Sequence, residues 1–488
     1  MGAYRTELGA TARLAAPLAV AQLAQMATAF VDVMMIGRLG SQSMAAAVLG
    51  SSIFSTLLLV CLGVVIAVNP SVAQAHGAGD SAGVSRWARQ GIWLAAGLGA
   101  ILFVLLSFIE PFLLTMRQES ETAALAAGYV LAIRWGLVPN LMYGALRGLA
   151  EGLSRPKAIL AISVVAIGLN AGLNYILIYG KLGFPAMGLV GCGWASAIVH
   201  LCMFIAMAIY VRRSTFLRKY QVLRRVGRPD FGAIRELARL GWPIGIAFGL
   251  EAGLFSAATL LIGTLSTEAL AAHQIALNAS GMTFMIPLGV AMAATVRVGQ
   301  AVGRRDAAGV SIAGWVAIGI GTAVMLIPAM LFWLRPEWVV WLYMGTTGGD
   351  PQVLAAAASL LGVAAVFQLF DGAQVTAGGV LRGLKDTRAT MFIGAIAYWG
   401  IGMTAAYLLG IRGPYGAAGV WWGLTGGLAA ASILLAVRFR WRVRGRQFSG
   451  ANDPPEMRSS ITTGARAPGP GTPPLASQSL GSGSQQVD

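Results

Sequence analysis

Twelve times between Leu14 and Val437 the chain runs for about twenty residues or more with almost no charge, long enough for a helix to cross the hydrocarbon of a bilayer. The runs lie near Leu14–Ile36, Met44–Val68, Trp87–Phe108, Ala123–Leu146, Ala158–Tyr179 and Met187–Val211. The second six lie near Leu240–Ile262, Leu270–Val296, Val310–Leu334, Val353–Leu381, Thr390–Leu409 and Ala417–Val437. The apolar residues are continuous and do not alternate with polar ones, so the segments predict spanning helices and not barrel strands. Lipid offers the backbone no hydrogen bonds, and a helix satisfies its own.

Only 11% of the residues are charged, against about 25% in a soluble domain. Gly is abundant, at 64 residues; in a membrane, small residues let helices approach closely. The net charge of +16 raises nucleic-acid binding as one reading and the positive-inside rule as another. Location decides for the second. Arg38, Arg117, Lys181, Arg335 and Arg412 fall in loops of one side, Arg134 falls within a span, and the other 29 of 35 basic residues fall on the opposite side. A multi-pass protein of the cell (inner) membrane with both termini cytoplasmic is expected, and no nucleic-acid partner. Cys61, Cys192 and Cys202 all sit in apolar runs, which argues against a disulfide or a cysteine metal site.

Shifting the chain by 226 residues aligns its halves. Pro17 meets Pro243, Gly37 meets Gly263, Gln74-Ala75-x-Gly77 meets Gln300-Ala301-x-Gly303, and Asp80 meets Asp306. At a shift of 231, EGLSRPKA (Glu151–Ala158) resembles RGLKDTRA (Arg382–Ala389). The first run resembles a signal peptide near Ala27-Thr28-Ala29, but its repeat counterpart lies mid-chain, where no signal peptide belongs. Six spans per half leave both halves in the same orientation. The expected fold is therefore all-α, with twelve transmembrane helices in two six-helix lobes related by a pseudo-two-fold axis along the membrane normal. The expected division is an N-lobe over residues 1–211, a basic cytoplasmic linker over 212–239 and a C-lobe over 240–437. Residues 438–488 follow as a basic juxtamembrane segment and, from about Gln447, a disordered tail rich in Pro, Gly and Ser. Such repeats favour transport by alternating access.

Asp32, Glu251 and Asp371 are the acids placed well inside a span. A charge at the bilayer centre costs about 2.5–3.5 kcal/mol on insertion scales, so these acids mark a polar cavity by default. The alternative is pairing with a buried base, and Arg134 is the only base read as lying deep in a span. Gln25 and Asp32, seven residues apart, share a helix face, and in the repeat Gln25 aligns with Glu251. Gln368, Asp371 and Gln374 form a stripe on the tenth helix, and Asn170 and Asn174 share a face of the fifth. Helix–helix hydrogen bonding is the competing role for these amides. His273, with Gln274 and Asn278 near it, reads either as a proton relay or as a satisfied interfacial histidine. Pro17, Pro139, Pro243, Pro287 and Pro328 interrupt spans and read as kinks. A carboxylate in an apolar surround is stabilised by whatever neutralises it, a proton or a sodium ion. The chain contains no GxxxxGK[ST], no HExxH and no plausible catalytic triad. An enzyme is not expected, and no cofactor beyond a coupling ion.

Several strings in order resemble the multidrug and toxic compound extrusion (MATE) family, in its NorM-like branch. They are LAAPLAVAQLAQMATAFVDVMMIGRLG, VNPSVAQAHGAG, LRGLAEGLSRPK, LNAGLNYILIYG, WPIGIAFGLEAGLFSAATLLIG and FDGAQVTAGGVLRGLKDTR, and the resemblance covers about Arg13 to Val437. It implies a V-shaped pair of six-helix lobes that exports organic cations and other amphipathic drugs against Na⁺ or H⁺. It also implies a cation-coupling network of Asp32 with Asn170 and Asn174, and a second cation site at Glu251 and Asp371, with these two as Na⁺ ligands if sodium is the coupling ion. Some relatives carry an aromatic hydroxyl one turn before the tenth-helix acid. Here that position is Phe367, which keeps a cation–π face but no hydroxyl ligand, so the choice of Na⁺ or H⁺ stays open.

The expected function is a secondary multidrug antiporter, working as a monomer. Its partners are small organic cations and the bilayer. The alternative is a lipid-linked oligosaccharide flippase of the same superfamily, which would need a basic cavity. A major-facilitator transporter would show a GxxxDxxGR-type loop after the second helix, and VNPSVAQAHGAGD is not that. A lipid-modifying enzyme would cluster its catalytic groups near one interface, and a channel would not need the two-fold repeat.

Overall fold

The computed structural model describes residues 2–224, 227–344 and 351–444. The predicted tail from Gln447 lies outside them. Among the described residues, twelve helices are long and apolar enough to cross a membrane. They are α1 (Gly2–Gly37), α2 (Ser41–Gly77), α3 (Ser81–Thr115), α4 (Ser120–Gly152), α5 (Lys157–Tyr179) and α6 (Gly188–Arg213), then α7 (Phe231–Gly263), α8 (Thr267–Gly303), α9 (Ala307–Leu334), α10 (Pro351–Gly383), α11 (Thr387–Arg412) and α12 (Gly416–Arg444). Most are longer than the hydropathy alone marks, because their ends run on into polar residues that hydropathy does not count. The basic segment after α6 is correspondingly shorter than the expected 212–239, since α7 begins at Phe231, and the arginines after Val437 continue α12.

Local chemistry sets the helix starts. Asp80, Asp230, Ser266 and Asp306 each accept a hydrogen bond from a backbone N–H three residues on, capping α3, α7, α8 and α9. Pro17, Pro243 and Pro287 are carried inside continuous helices. Pro139 follows a 3₁₀ turn at Arg134–Gly136, and Pro328 follows a break at Met325, so these two mark real interruptions. After α9 a short helix, Pro336–Met344, exposes Trp338 and Trp341, as expected of residues at a membrane–water interface.

The packing repeats with a period of six helices. In the first half α1 packs on α5, α2 and α3 on α4, and α4 and α5 on α6. In the second half α7 packs on α11, α8 and α9 on α10, and α10 and α11 on α12. The contacts between lobes obey the same symmetry: α1 with α8 and α9, and α7 with α2 and α3. This is the pseudo-two-fold arrangement that the sequence repeat predicts. Each half also has an apolar core around buried residues, such as Leu137 in the first and Leu361 in the second.

The ends of the helices that carry the basic loops are clasped reciprocally. Gln74 Nε2 donates to the Gly383 carbonyl at 2.8 Å, and Gln300 Nε2 donates to the Gly152 carbonyl at 3.0 Å. Gln74 and Gln300 are repeat partners, and so are Gly152 and Gly383. A Cβ on Gly77 would overlap the Gln300 carbonyl, and one on Gly303 would overlap the Gln74 carbonyl. A little deeper, Gly63 meets Gly245 with no room for a Cβ. Toward the other end Phe30, Val33, Met34 and Leu260 are all more than half exposed. The lobes therefore meet tightly at the basic end.

Substituting Gly303→Val should wedge this end open. Ala73 is fully buried where α2 meets Gly299 of α8. With Cys61, Cys192 and Cys202 replaced by Ala, an Ala73→Cys thiol should resist a polar maleimide in the parent. It should react at least about tenfold faster in the Gly303→Val background; equal rates would show that the glycine contact does not hold the ends shut.

Candidate functional site

Between the lobes lies a cavity of about 690 Å³, within the roughly 300–1,000 Å³ typical of small-molecule sites. Both lobes build it. α1 contributes Gln22 and Gln25, α4 Arg147 and Glu151, α7 Phe248, Glu251 and Phe255, and α10 Phe367 and Asp371. Most of the wall is aromatic, aliphatic or thioether: Phe248, Phe255, Phe284, Phe367, Trp421, Met203, Met285 and Met292.

The four charged residues on this wall are not equivalent. Arg147 Nε donates to Glu151 Oε1 at 2.7 Å, Asn69 Nδ2 donates to Glu151 Oε2 at 2.7 Å, and Arg147 Nη2 donates to Gln22 at 2.6 Å. That pair is neutral overall and is hydrogen-bonded further to Asn69 and Gln22. Glu251 and Asp371 are different. Neither accepts a hydrogen bond or an ion pair from another side chain or backbone group among the described residues. The carboxylates that face the apolar wall are thus the ones without a hydrogen-bonded or ion-paired partner, and the buried guanidinium of Arg382 acts on Glu251 only through longer-range attraction.

The aromatic side of the cavity is held by a chain of directed hydrogen bonds. The Trp421 indole can only donate, and it donates to His273 Nδ1 at 3.1 Å. His273 therefore carries its proton on Nε2 and donates to Thr259 Oγ1 at 2.9 Å, and that hydroxyl donates to the Phe255 carbonyl at 2.9 Å. Trp421 and Phe255 each meet Phe367 edge to face, at 5.4 and 6.1 Å between centroids. His273 is fully buried. It is a buttress of the wall, which corrects the expectation of an interfacial histidine: α8 starts at Thr267, so His273 lies inside the helix and under Trp421.

Asp32 stands apart from this cavity. Its Oδ1 accepts from Asn170 Nδ2 at 3.0 Å and Asn174 Nδ2 at 2.6 Å, and its Oδ2 accepts from Ser196 Oγ at 3.5 Å. The expected grouping of Asp32 with the two asparagines is present, held by neutral donors. Gln25 lines the cavity and Asp32 does not, although they share a helix face. Seven residues are about 10 Å of helix, so Asp32 sits nearly two turns along, level with α5.

The other expected cavity amides are engaged elsewhere. Gln368 donates to Thr283 Oγ1 at 2.5 Å, and Gln374 donates to the Tyr398 hydroxyl. The stretch Ala395–Met403 of α11 is π-helical, and this wider turn carries both Tyr398 and Trp399, whose indole donates to the Leu250 carbonyl at 3.1 Å beside Glu251. Asn278 is exposed and donates to the Gln274 carbonyl of its own helix. Helix-to-helix bonding won for Gln368 and Gln374, and Asn278 does not line the cavity.

A family model described as MatE matches residues 17–176 and 243–408. The chain belongs to the MATE family. The two matched stretches begin 226 residues apart, the shift of the internal repeat. Among curated MATE relatives, "Probable multidrug resistance protein NorM" of Pseudomonas aeruginosa is 41% identical over 437 residues, covering 89% of this chain and 90% of that protein. "Multidrug resistance protein PmpM" of the same organism is 40% identical, covering 89% and 91%. Among solved structures, the outward-facing conformation of a multidrug resistance MATE family transporter superposes with a TM-score of 0.81 at 21% identity, covering 91% of this chain and 97% of that one.

Reading this MATE chain as sequence missed Arg147 and Glu151. Their charges made the end of the fourth run read as a loop, whereas α4 continues to Gly152. An i,i+4 pair of opposite charge was the available signal. It also missed Ser196, Thr283, Tyr398 and Trp421, which are uncharged and have no spacing that marks them. Arg134, the expected buried base, pairs with no acid among the described residues: it donates to Ser107 Oγ at 2.6 Å and lies 4.5 Å from the Phe103 centroid.

Breaking a buried pair leaves a charge without its partner. Arg147→Met should lower the unfolding free energy by about 3–5 kcal/mol in detergent. Arg147→Met with Glu151→Gln should recover most of that loss in the same denaturant titration. A double variant no more stable than the single one would mean that the pairing is not what the arginine provides.

Proposed function

We propose that this protein is a secondary active multidrug efflux antiporter of the bacterial inner membrane, with both termini cytoplasmic. It exports lipophilic organic cations in exchange for H⁺ or Na⁺. One observation carries the reading: Glu251 and Asp371 have no ion pair or hydrogen bond among the described residues and face an aromatic and methionine-rich cavity shared by two symmetric lobes. The names of the NorM and PmpM relatives point the same way.

A cationic drug entering this cavity finds two carboxylates and a π-rich wall, and both favour a delocalised positive charge. A proton or a sodium ion at the same carboxylates removes the charge that held the drug. Competition for one site then couples the two fluxes without a direct drug–ion contact. Asp32, held by three neutral donors, is a second place in the N-lobe where an ion would be stabilised. Under the proposed orientation the clasped basic end faces the cytoplasm, so the lobes here correspond to the outward-facing state. The flippase reading needs a cation on the cavity wall to meet a pyrophosphate, and the cation on this wall, Arg147, is spent on Glu151.

Coupling of this kind is worth about 5–150-fold in typical systems. In everted vesicles, Glu251→Gln and Asp371→Asn should each cut gradient-driven ethidium transport by a factor in that range. Protein amount should remain unchanged. Imposing pH and sodium gradients separately identifies the ion. Full transport by both variants, or no response of the parent to either gradient, would defeat the antiporter reading.

A further inference from the structure

Outside the central cavity, two sets of basic residues in the described chain contrast. Some are engaged: Arg86 pairs with Asp230 at 2.7 Å, Arg297 with Glu7 at 2.5 Å, and Arg438 with Asp386 at 2.8 Å. Arg155 and Lys219 lie 4.4 and 4.5 Å from the Phe216 ring centroid. A second group gathers after α6. Arg212, Arg213, Arg218 and Arg224 line one cavity of about 590 Å³, and none of their side chains has a hydrogen-bond, ion-pair or ring partner among the described residues. From Arg212 to Pro229 the sequence holds seven basic residues and no acid.

The pocket is held in shape by the backbone around it. Ser214 Oγ accepts from Leu217 N, starting a one-turn helix, Thr215–Arg218, that reverses the chain. Gln221 then takes a left-handed backbone at φ 48°, and the Tyr220 carbonyl is tied to Ser85 Oγ of α3 at 2.5 Å. Val211, Leu217 and Val222 form a buried apolar floor, and the four arginines are exposed around it. Ile209 belongs to the same lining, and it ends an exposed stripe on α6 formed by Ile198, Leu201, Ile205 and Ile209. Spacings of three, four and four keep that stripe on one helix face. An apolar track along a spanning helix thus leads into a pocket ringed by guanidinium groups.

We propose that this pocket binds an anionic glycerophospholipid, its phosphodiester held by Arg212, Arg213, Arg218 and Arg224 and its acyl chains laid along the Ile198–Ile209 stripe. Guanidinium groups match phosphate oxygens in geometry as well as charge. Basic clusters just beyond a membrane helix attract anionic headgroups. Inorganic phosphate shares the headgroup chemistry but has nothing to place on the stripe. The lipid site lies on the segment joining the two lobes, tied to α3 through Ser85 and through the Arg86–Asp230 pair.

The test uses the purified full-length protein in detergent, titrated with phosphatidylglycerol, phosphatidylcholine or inorganic phosphate, with binding counted by native mass spectrometry and thermal unfolding followed in parallel. Phosphatidylglycerol should bind at least about tenfold more tightly than phosphatidylcholine and raise the unfolding temperature, with no such effect of inorganic phosphate. Replacing the four arginines together by Gln should remove that preference, and replacing them by Lys should retain part of it. A charge-matched control, Gln at the exposed Arg235, Arg304, Arg440 and Arg444, should keep it in full. The proposal fails if the parent does not distinguish the two lipids, if inorganic phosphate stabilises as well as phosphatidylglycerol, or if the control loses the preference as fully as the pocket variant. The first two outcomes are read on the parent alone, so they stand even if the quadruple variant does not fold.

Discussion

A charge in the interior of a bilayer must be paired, hydrogen-bonded or neutralised. This chain uses the first two and sets its remaining acids against a cavity. Arg147 and Glu151 answer by pairing, and Asp32 answers with Asn170, Asn174 and Ser196. Glu251 and Asp371 have neither. They are affordable only because a cavity opens in front of them, so the cavity and the acids require each other. The helices that build the wall, the proline-bearing α1, α7 and α8 among them, are placed around that need.

The repeat separates framework from chemistry. Residues that are identical between the halves build the frame: Gln74 and Gln300, with Gly77 and Gly303, hold the lobes together, and Asp80 and Asp306 cap matching helices. Residues that differ carry the charge. Gln25 of the first half stands where the second has Glu251, and Glu151 stands where the second has Arg382. Arg382 lies 5.7 Å from the Phe248 centroid, close to the cavity wall, whereas Glu151 is locked to Arg147. A symmetric clasp lets two lobes move as equivalent bodies, and the asymmetric positions give the cavity one acidic side.

Much of this was legible in the sequence, for physical reasons. Twenty apolar residues in a row admit one solution in lipid, so the twelve helices found among the described residues followed from hydropathy. Glu251 and Asp371 stood out because carboxylates are costly there. The Asp32–Asn170–Asn174 cluster came from a family resemblance and from helix spacing. What was not legible depended on rotation and depth between helices. Gln368 and Gln374 read as cavity residues because they share the Asp371 stripe. The rotation of α10 instead directs them to Thr283 and Tyr398. His273 has no partner within its own helix to reveal it, since Thr259 and Trp421 come from α7 and α12.

Phe367 shows how the wall and the acids act together. Lacking a hydroxyl, it contributes no ligand to an ion at Asp371, only the face and edge of its ring. It is nearly fully buried and wedged between Phe255 and Trp421, and Trp421 is fixed through His273 to Thr259. A rigid aromatic surface beside unpaired carboxylates favours a large, weakly hydrated cation over a small one, because the small ion loses more hydration than a ring can replace. Under the proposed exchange, discrimination between drug and coupling ion would rest on hydration. In that proposal the small ion would compete only for the carboxylate oxygens, and the drug for those oxygens and the wall together. A site built this way tolerates many drug shapes, since methionine and ring edges adapt to contours that directed hydrogen bonds would refuse.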